Sequence, residues 1–353
     1  MKELLFKMRR FFLIVSILAF LMLVFLASSI ILGRWVCKSK PPNFLGNHKK
    51  NIMMVNDDEK IMEPFTFLVV GDIGLKRHFV HFIENIEFHE TPDFGFFLGD
   101  FVKNPEKENH CFFNYRYSKI ELMFPVFLLA GNHDIALGKY KSKPNAFFLE
   151  DFEETYGPAN FFFKHHGCLF VAANDCYNDN YVDYLREVLA RESRDAVLTF
   201  VLMHIPPTSI IPAKKFRPLE REEEFLSLMK EFDVDYFFSG DFHSYYRLNK
   251  DGVDYIITGG GGSKLCYDEN KCSFHHVIVI SVNPKTGKIT ERVYPIREVF
   301  DIVFDYEKLV ITKVYPVLKR SPLLSWISIL AILLVFMAST IVYIRIARRK
   351  REF

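Results

Sequence analysis

The sequence has no excess of either charge. Its 45 Lys and Arg stand against 43 Asp and Glu, a formal net charge of +2. Such a balance gives no electrostatic reason to bind nucleic acid, and no nucleic-acid partner is expected. No internal repeat or low-complexity tract is present, so a solenoid or a disordered array is excluded. No Asn-x-Ser/Thr sequon is present either, which disfavours a eukaryotic secretory protein and favours a prokaryotic membrane. The run Gly259–Gly262 lacks a following Gly-Lys-Ser/Thr, so it reads as a turn rather than a nucleotide cradle. Cysteine is sparse: Cys37, Cys111, Cys168, Cys176, Cys266 and Cys272. All are compatible with an oxidising compartment. Cys266 and Cys272 are spaced to close a short loop, with unpaired core cysteines as the alternative.

Charge is wholly missing from two stretches, Phe11–Leu32 and Leu323–Ile344. Each is long enough to cross a hydrocarbon core as a helix. We therefore expect transmembrane helices at 11–33 and 323–344. The first is read as an uncleaved anchor, because it exceeds a signal-peptide core and no clean Ala-x-Ala site follows. Basic residues follow the second span (Arg345, Arg348, Arg349, Lys350, Arg351). They argue for cytoplasmic termini and a two-pass chain with its middle outside the cytoplasm. Residues 1–10 are then a tail, 34–63 a polar linker, 64–298 the main domain, 299–322 a stalk and 345–353 a basic tail.

Within the domain, short apolar runs ending at glycine alternate with helical spacing. Phe65–Val70, Asp93–Leu98, Pro125–Ala130, Val197–Met203 and Val234–Ser239 read as buried strands. Asn160–Asn174 reads as a pair turning at Gly167. Pro144–Tyr156, a stretch from Tyr181 and Leu219–Phe232 read as helices. The pattern predicts α/β architecture in layers, with helices outside. The 38 Phe are expected to fill the core and the sheet-packing positions.

The strand ends carry the chemistry. Five of them deliver polar groups: Gly71-Asp72-Ile73-Gly74, Gly99-Asp100, Gly131-Asn132-His133-Asp134, His204-Ile205-Pro206-Pro207 and Gly240-Asp241-Phe242-His243. Ligands collect at the carboxyl ends of strands in open α/β sheets. Carboxylates, an amide oxygen and imidazoles suit Mn, Fe or Zn. Any one fragment is weak, but the five in this order are specific. Together they resemble the calcineurin-like metallophosphoesterase family, and the Asp-x-Gly of the first motif is similar to its purple acid phosphatase branch. The resemblance covers about two-thirds of the chain.

It implies a layered β-sandwich flanked by helices and two metal ions. Asp72, Asp100 and His243 would serve one ion, and Asp100 would bridge to a second held by Asn132 and His204. Asp241 would stand as a ligand where the family usually has histidine. His133 would contact phosphate and protonate the leaving oxygen, oriented by Asp134, while a metal-bridging hydroxide attacks. The implied activity is hydrolysis of a phosphate ester.

Three positions depart from the family pattern: Gly74 where many relatives have a metal-binding His, Lys103 where the purple branch has Tyr, and Asp241. Asn104 is a substitute oxygen donor near Lys103. A catalytically degenerate, membrane-tethered binding module therefore remains the alternative, and a structural protein with no ligand site the third. Lys214, Lys215 and Arg217 are read as a solvated loop rather than substrate contacts. The adjacent pairs His165-His166 and His275-His276 are not expected to chelate, since neighbours on a strand face opposite sides.

Overall fold

Strands in which every second residue is Phe must bury one face against another apolar sheet. A computed structural model describes residues 2–56, 62–86, 88–89, 91–177, 180–212, 216–266 and 273–349. It divides into two compact units, 39–302 and the two chain ends, 1–38 with 303–353.

In the larger unit the elements run in order: α2 (His48–Val55, after the terminal helix α1, Lys2–Val36), β1 (Phe65–Val70), α3 (Arg77–Asn85), β2 (Phe94–Phe97), α4 (Lys107–Tyr117), β3 (Val126–Leu128), α5 (Leu149–Tyr156), β4 (Phe161–His165), β5 (Cys168–Ala172), α6 (Tyr181–Glu192), β6 (Thr199–Leu202), α7 (Glu222–Glu231), β7 (Tyr236–Ser239), β8 (Tyr245–Lys250), β9 (Val253–Thr258), β10 (His276–Asn283) and β11 (Lys288–Pro295). The strands form two mixed sheets. One has the order β11-β10-β1-β2-β3, with β1, β2 and β3 parallel. The other has the order β4-β5-β6-β7-β9-β8, with β5, β6, β7 and β9 parallel. The expected sandwich of layers is therefore present.

The seam between the sheets is phenylalanine. Phe67 stacks on Phe94 at 5.6 Å, and Phe170 stacks on Phe200 at 4.6 Å. Phe67 meets Phe170 edge-on at 5.3 Å. Burying each ring is worth roughly 1.5–3 kcal/mol, and each well-set pair about 0.5–1.5 kcal/mol more. A second core on the outer face of the six-stranded sheet packs Leu185, Val188 and Leu189 of α6, with Phe225 and Leu228 of α7, over Val201, Phe237 and Tyr255.

Several local expectations need correction. The stretch 34–63 is not a free linker over its described middle. Leu45 bridges in parallel to Val126, Val126 donates to the Phe44 carbonyl, and the buried His48 ring accepts from Leu128 N–H. Lysines, asparagines and two prolines surround Phe44 and Leu45, so composition conceals the docking. The fifth helix begins only at Leu149 rather than Pro144. The turn at 251–252 joins β8 to β9, which runs parallel to β7. Helix α4 mixes buried polar and aromatic side chains all round, and without an amphipathic stripe it carries no helical signal in the sequence.

The smaller unit comprises α1, α8 (Ile302–Leu309), a π-helical turn over Val310–Val314, α9 (Tyr315–Arg320) and α10 (Pro322–Arg349). The stalk is thus helical. Helices α1 and α10 are long and apolar enough to cross a membrane, and little of either apolar window is buried. Ser16 and Ser339 hydrogen-bond between them at 2.7 Å, and Thr340 donates to Ser16 at 3.2 Å. Short hydroxyl side chains allow such close helix contact in an apolar medium.

Candidate active site

The parallel strands of both sheets end on one crevice. Asp72 follows β1, Asp100 follows β2, Asn132 to Asp134 follow β3, His204 follows β6, and Asp241 and His243 follow β7. Asp72, Asp100 and Asp241 all adopt left-handed backbone, with φ of 58°, 53° and 58°. Such conformations cost about 1–3 kcal/mol each in non-glycine residues and persist where the surroundings enforce them. They turn each carboxylate sharply off its strand into the shared space. Gly99 makes room for this, since a Cβ there would sit 2.6 Å from His204 Nδ1.

One donor atom each from Asp72, Asp100, His204 and Asp241 lies within 4.8 Å of the others. His204 is fully buried and points its Nδ1 at the Leu98 carbonyl at 2.7 Å. Its Nε2 therefore faces Asn132 Oδ1 at 3.2 Å, Asp100 Oδ1 at 3.5 Å and Asp241 Oδ1 at 3.5 Å. His243 repeats the device: Nδ1 is tied to the Lys264 carbonyl at 2.6 Å, and Nε2 lies 3.2 Å from Asp72 Oδ1. Tying Nδ1 to a carbonyl is how ligand histidines are held with Nε2 toward a metal.

The electrostatics show a site short of positive charge. Burial works against a protonated His204, but Asp100, Asp241 and Asp72 outweigh it and hold the ring well above its ordinary range. Burial likewise opposes a charged His243, yet Asp72 raises it to about 9. Asp100 is pushed up, first by burial and then by Asp72, while His204 and His133 partly offset this. Asp72 Oδ1 is buried and accepts no well-aligned hydrogen bond. Crowded buried carboxylates beside pre-aimed imidazoles fit a bound cation, and the oxygen and nitrogen donors fit Mn, Fe or Zn.

Asp134 has a different task from the one expected. It does not orient His133. Its carboxylate accepts from the N–H groups of Asp100 at 2.6 Å, Gly131 at 2.8 Å and Val102 at 3.0 Å. It clamps the β2 and β3 loops together from a fully buried position. Burial and the nearby Asp100 push it well above the usual carboxylate range. His133 is oriented instead by the Lys103 carbonyl, 2.8 Å from its Nδ1. That ring is 46% exposed, with Nε2 3.8 Å from Asp100 Oδ2.

The departures resolve as follows. Gly74 has φ 54°, and a Cβ there would meet Ser263 Oγ at 2.7 Å. A histidine at this position would be strained by the left-handed backbone and would displace the Ser263 hydroxyl; beside it, the N–H groups of Gly261 and Ser263 bond to the Gly71 and Asp72 carbonyls. The glycine run is thus a close-packed backing for the first motif. The Lys103 side chain is exposed, and Asn104 Oδ1 already accepts from the Tyr140 hydroxyl at 3.0 Å.

Two residues were misjudged. Arg217 is not a solvated loop residue: its Nη2 donates to Asp241 Oδ2 at 2.7 Å and to Asn132 Oδ1 at 3.1 Å. Lys214 and Lys215 lie outside the described residues, as does Cys272. Asp175 was missed altogether. It is buried after β5, accepts from His204 N–H at 3.2 Å and Ile205 N–H at 2.6 Å, and is raised by burial to about 6. The signal was an Asn-Asp pair closing an apolar strand, but no glycine precedes it.

The two histidine pairs are structural. His165 and His166 stack at 4.2 Å, because His166 leaves the strand at φ 47°, and they bond to the Val55 and Glu63 carbonyls. His276 bonds to Thr258 Oγ1 at 3.0 Å, and His275 Nδ1 lies 3.1 Å from the Gly260 carbonyl.

The family model described as calcineurin-like phosphoesterase matches residues 65–245, just over half of the chain. No curated protein sequence matches. Among solved structures, the chain is similar to GAP50, the anchor in the inner membrane complex of Plasmodium, with 16% identity and a TM-score of 0.44, over 70% of this chain and 95% of that one. A purple acid phosphatase from yellow lupin (Lupinus luteus) seeds is similar at 12% identity and a TM-score of 0.46, over 68% and 55%. A dimetal phosphatase from Danio rerio is similar at 12% identity and a TM-score of 0.44, over 66% and 99%.

Proposed function

Because the chain belongs to the calcineurin-like phosphoesterase family, we propose that it is a membrane-anchored, metal-dependent phosphoesterase working in the crevice described above. The observation that carries this reading is the convergence of Asp72, Asp100, His204 and Asp241 within 4.8 Å, beside the His243 Nε2 that faces Asp72 Oδ1. These four, with Asn132 and His243, are the residues that would hold metal. When bound, such an ion supplies an activated water and charge to offset that of the transferring phosphoryl group.

The chain's own residues do the rest. The Lys103 carbonyl holds His133 Nδ1, which leaves Nε2 to hand a proton to the leaving oxygen of a phosphate ester. Asp134 and Asp175 fix the backbone that carries Asp100 and His204. The chain is two-pass, with both termini in the cytoplasm and the catalytic unit outside, on the charge pattern beyond the second span.

A second reading, a metallophosphoesterase fold kept as a membrane-tethered binding module, is favoured by one contact. The Arg217 guanidinium already bonds to two of the expected ligand residues. The full chain, purified in detergent, separates the readings when bound metal is measured beside hydrolysis of an aryl phosphate with added Mn, Fe or Zn. Metal with turnover is expected. Metal loading without turnover identifies a binding module, and absence of metal sinks both.

A further inference from the structure

We infer that the crevice is built for one divalent ion plus the guanidinium of Arg217, which stands where a second ion would otherwise be and presents its free N–H groups to the phosphate. This rests on the phosphoesterase reading and deepens it.

Three observations lead here. The first is compactness. Donors around a single Mn, Fe or Zn ion sit about 2.0–2.2 Å from it, so they lie no more than about 4.4 Å apart. Donors around two ions some 3.5–4 Å apart spread to roughly 8 Å. Four of the donors here fall within 4.8 Å, nearer the span of one ion than of two, with Asn132 Oδ1 and His243 Nε2 at their edge.

The second is occupancy. Asn132 Oδ1 and Asp241 Oδ2 would face the second ion, and both already accept from Arg217 Nη2, at 3.1 and 2.7 Å. Asp241 stands 14% exposed, with Oδ2 on the Arg217 guanidinium. Its other oxygen, Oδ1, still faces His204. One residue therefore serves the ion with one oxygen and the arginine with the other.

The third is charge. Asp72, Asp100 and Asp241 bring three negative charges. One divalent ion and one guanidinium bring three positive charges, which leaves the resting site neutral. Two divalent ions beside Arg217 would leave it strongly positive. The departures at Gly74 and Asp241 then read as one change. The chain lacks one histidine of the family's two-ion set, and it carries a carboxylate that anchors a guanidinium.

Arg217 has a role suited to its position. Its side chain is 37% exposed. Guanidinium carries five N–H donors in a fixed fork, and Nη2 alone makes the protein contacts among the described residues. The remaining N–H groups are free to meet phosphate oxygens in the paired geometry that arginine favours.

The test uses the full chain in detergent, stripped by chelation and reloaded with Mn(II). Wild type should bind one ion per chain and give the spectrum of an isolated Mn(II) in electron paramagnetic resonance. R217A should bind a second ion and show spin coupling. Inorganic phosphate, titrated calorimetrically onto the loaded chain, should bind at least about tenfold more weakly to R217A, with R217K between the two. Two coupled ions in wild type would overturn the inference and leave the phosphoesterase reading standing. One ion in both wild type and R217A, or unchanged phosphate affinity, would overturn it as well. No ion in wild type would remove the phosphoesterase reading too. The wild-type spectrum decides the ion count even if R217A fails to fold.

Discussion

Between the sheets, Phe67, Phe94, Phe170 and Phe200 stack ring upon ring. At the carboxyl ends of these strands and of β7, three carboxylates and two imidazoles crowd into one crevice. The seam and the crevice treat ionisable groups in opposite ways. His48, His110 and His276 lie in the body of the domain, where burial drives them down to about 4, 3 and 4. His204 and His243 are also sheltered, yet neighbouring carboxylates overcome burial and drive them up. The body excludes charge and supplies stability. The crevice concentrates charge and is held in shape by the body.

The largest test of this contrast is pH. Below pH 6.5 the unfolded chain protonates its histidines, while His48, His110 and His276 stay neutral when folded until near pH 3–4. Stability should then fall by about 1.4 kcal/mol per pH unit for each, with or without metal. Above pH 6.5 the sign reverses for the crevice. The folded chain holds the His243 proton until about 9, so that contribution is complete below pH 6.5 and fades as pH rises through 9. Added Mn(II) should abolish the alkaline loss, and its own stabilisation should fade as falling pH returns protons to His204 and His243. Thermal melts of the full chain across pH check both arms; an acid loss that vanishes in the metal-free chain would break the contrast.

Next in size, His133→Ala should lower turnover by about 10²–10⁴-fold. Bound metal and melting temperature should stay unchanged, because the ring is exposed and its contacts are with Lys103 and Asp100. Equal loss of metal and turnover would show that it is a ligand. Phe170→Ala should destabilise the chain by about 3–5 kcal/mol, as a cavity opens in the seam. Asp134→Ala orphans three backbone N–H groups and should remove roughly 3 kcal/mol or more, dragging metal binding down with it. The smallest effect is the reverse in sign. Asp100→Asn keeps the acceptor for His133 N–H but removes one of the crowded charges. It should raise the stability of the metal-free chain by up to about 1 kcal/mol while abolishing turnover, which calorimetry and assay would show side by side.

The seam was the more legible region. Apolar runs closed by Gly-Asp or Gly-Asn announce a strand and the polar turn after it, so Asp72, Asp100, Asn132, His204, Asp241 and His243 all appear at the mouth of one crevice. What could not be read depends on contacts between distant segments. Arg217 reaches Asp241 from the loop before α7, and nothing in its neighbours marks it. Asp134 was assigned to His133 on family resemblance, but the side chain turns inward to backbone amides that only the fold brings near. Asp175 serves the His204 backbone across two strands. The segment around Leu45 looks like spacer because only Leu45, Gly46, His48, Asn51 and Val55 are buried in it.

That segment decides how the domain behaves in the company of its own kind. Strand β3 is the last strand of its sheet, and an uncovered, flat, apolar edge invites pairing with another molecule. Here the edge is sealed from within the chain: Phe44 accepts from Val126, Gly46 donates back to it, and His48 takes the Leu128 N–H. A fragment cut to begin at the first strand would keep every residue of the crevice and lose that seal. It would self-associate along β3, so solubility is set by a stretch of chain that holds none of the chemistry.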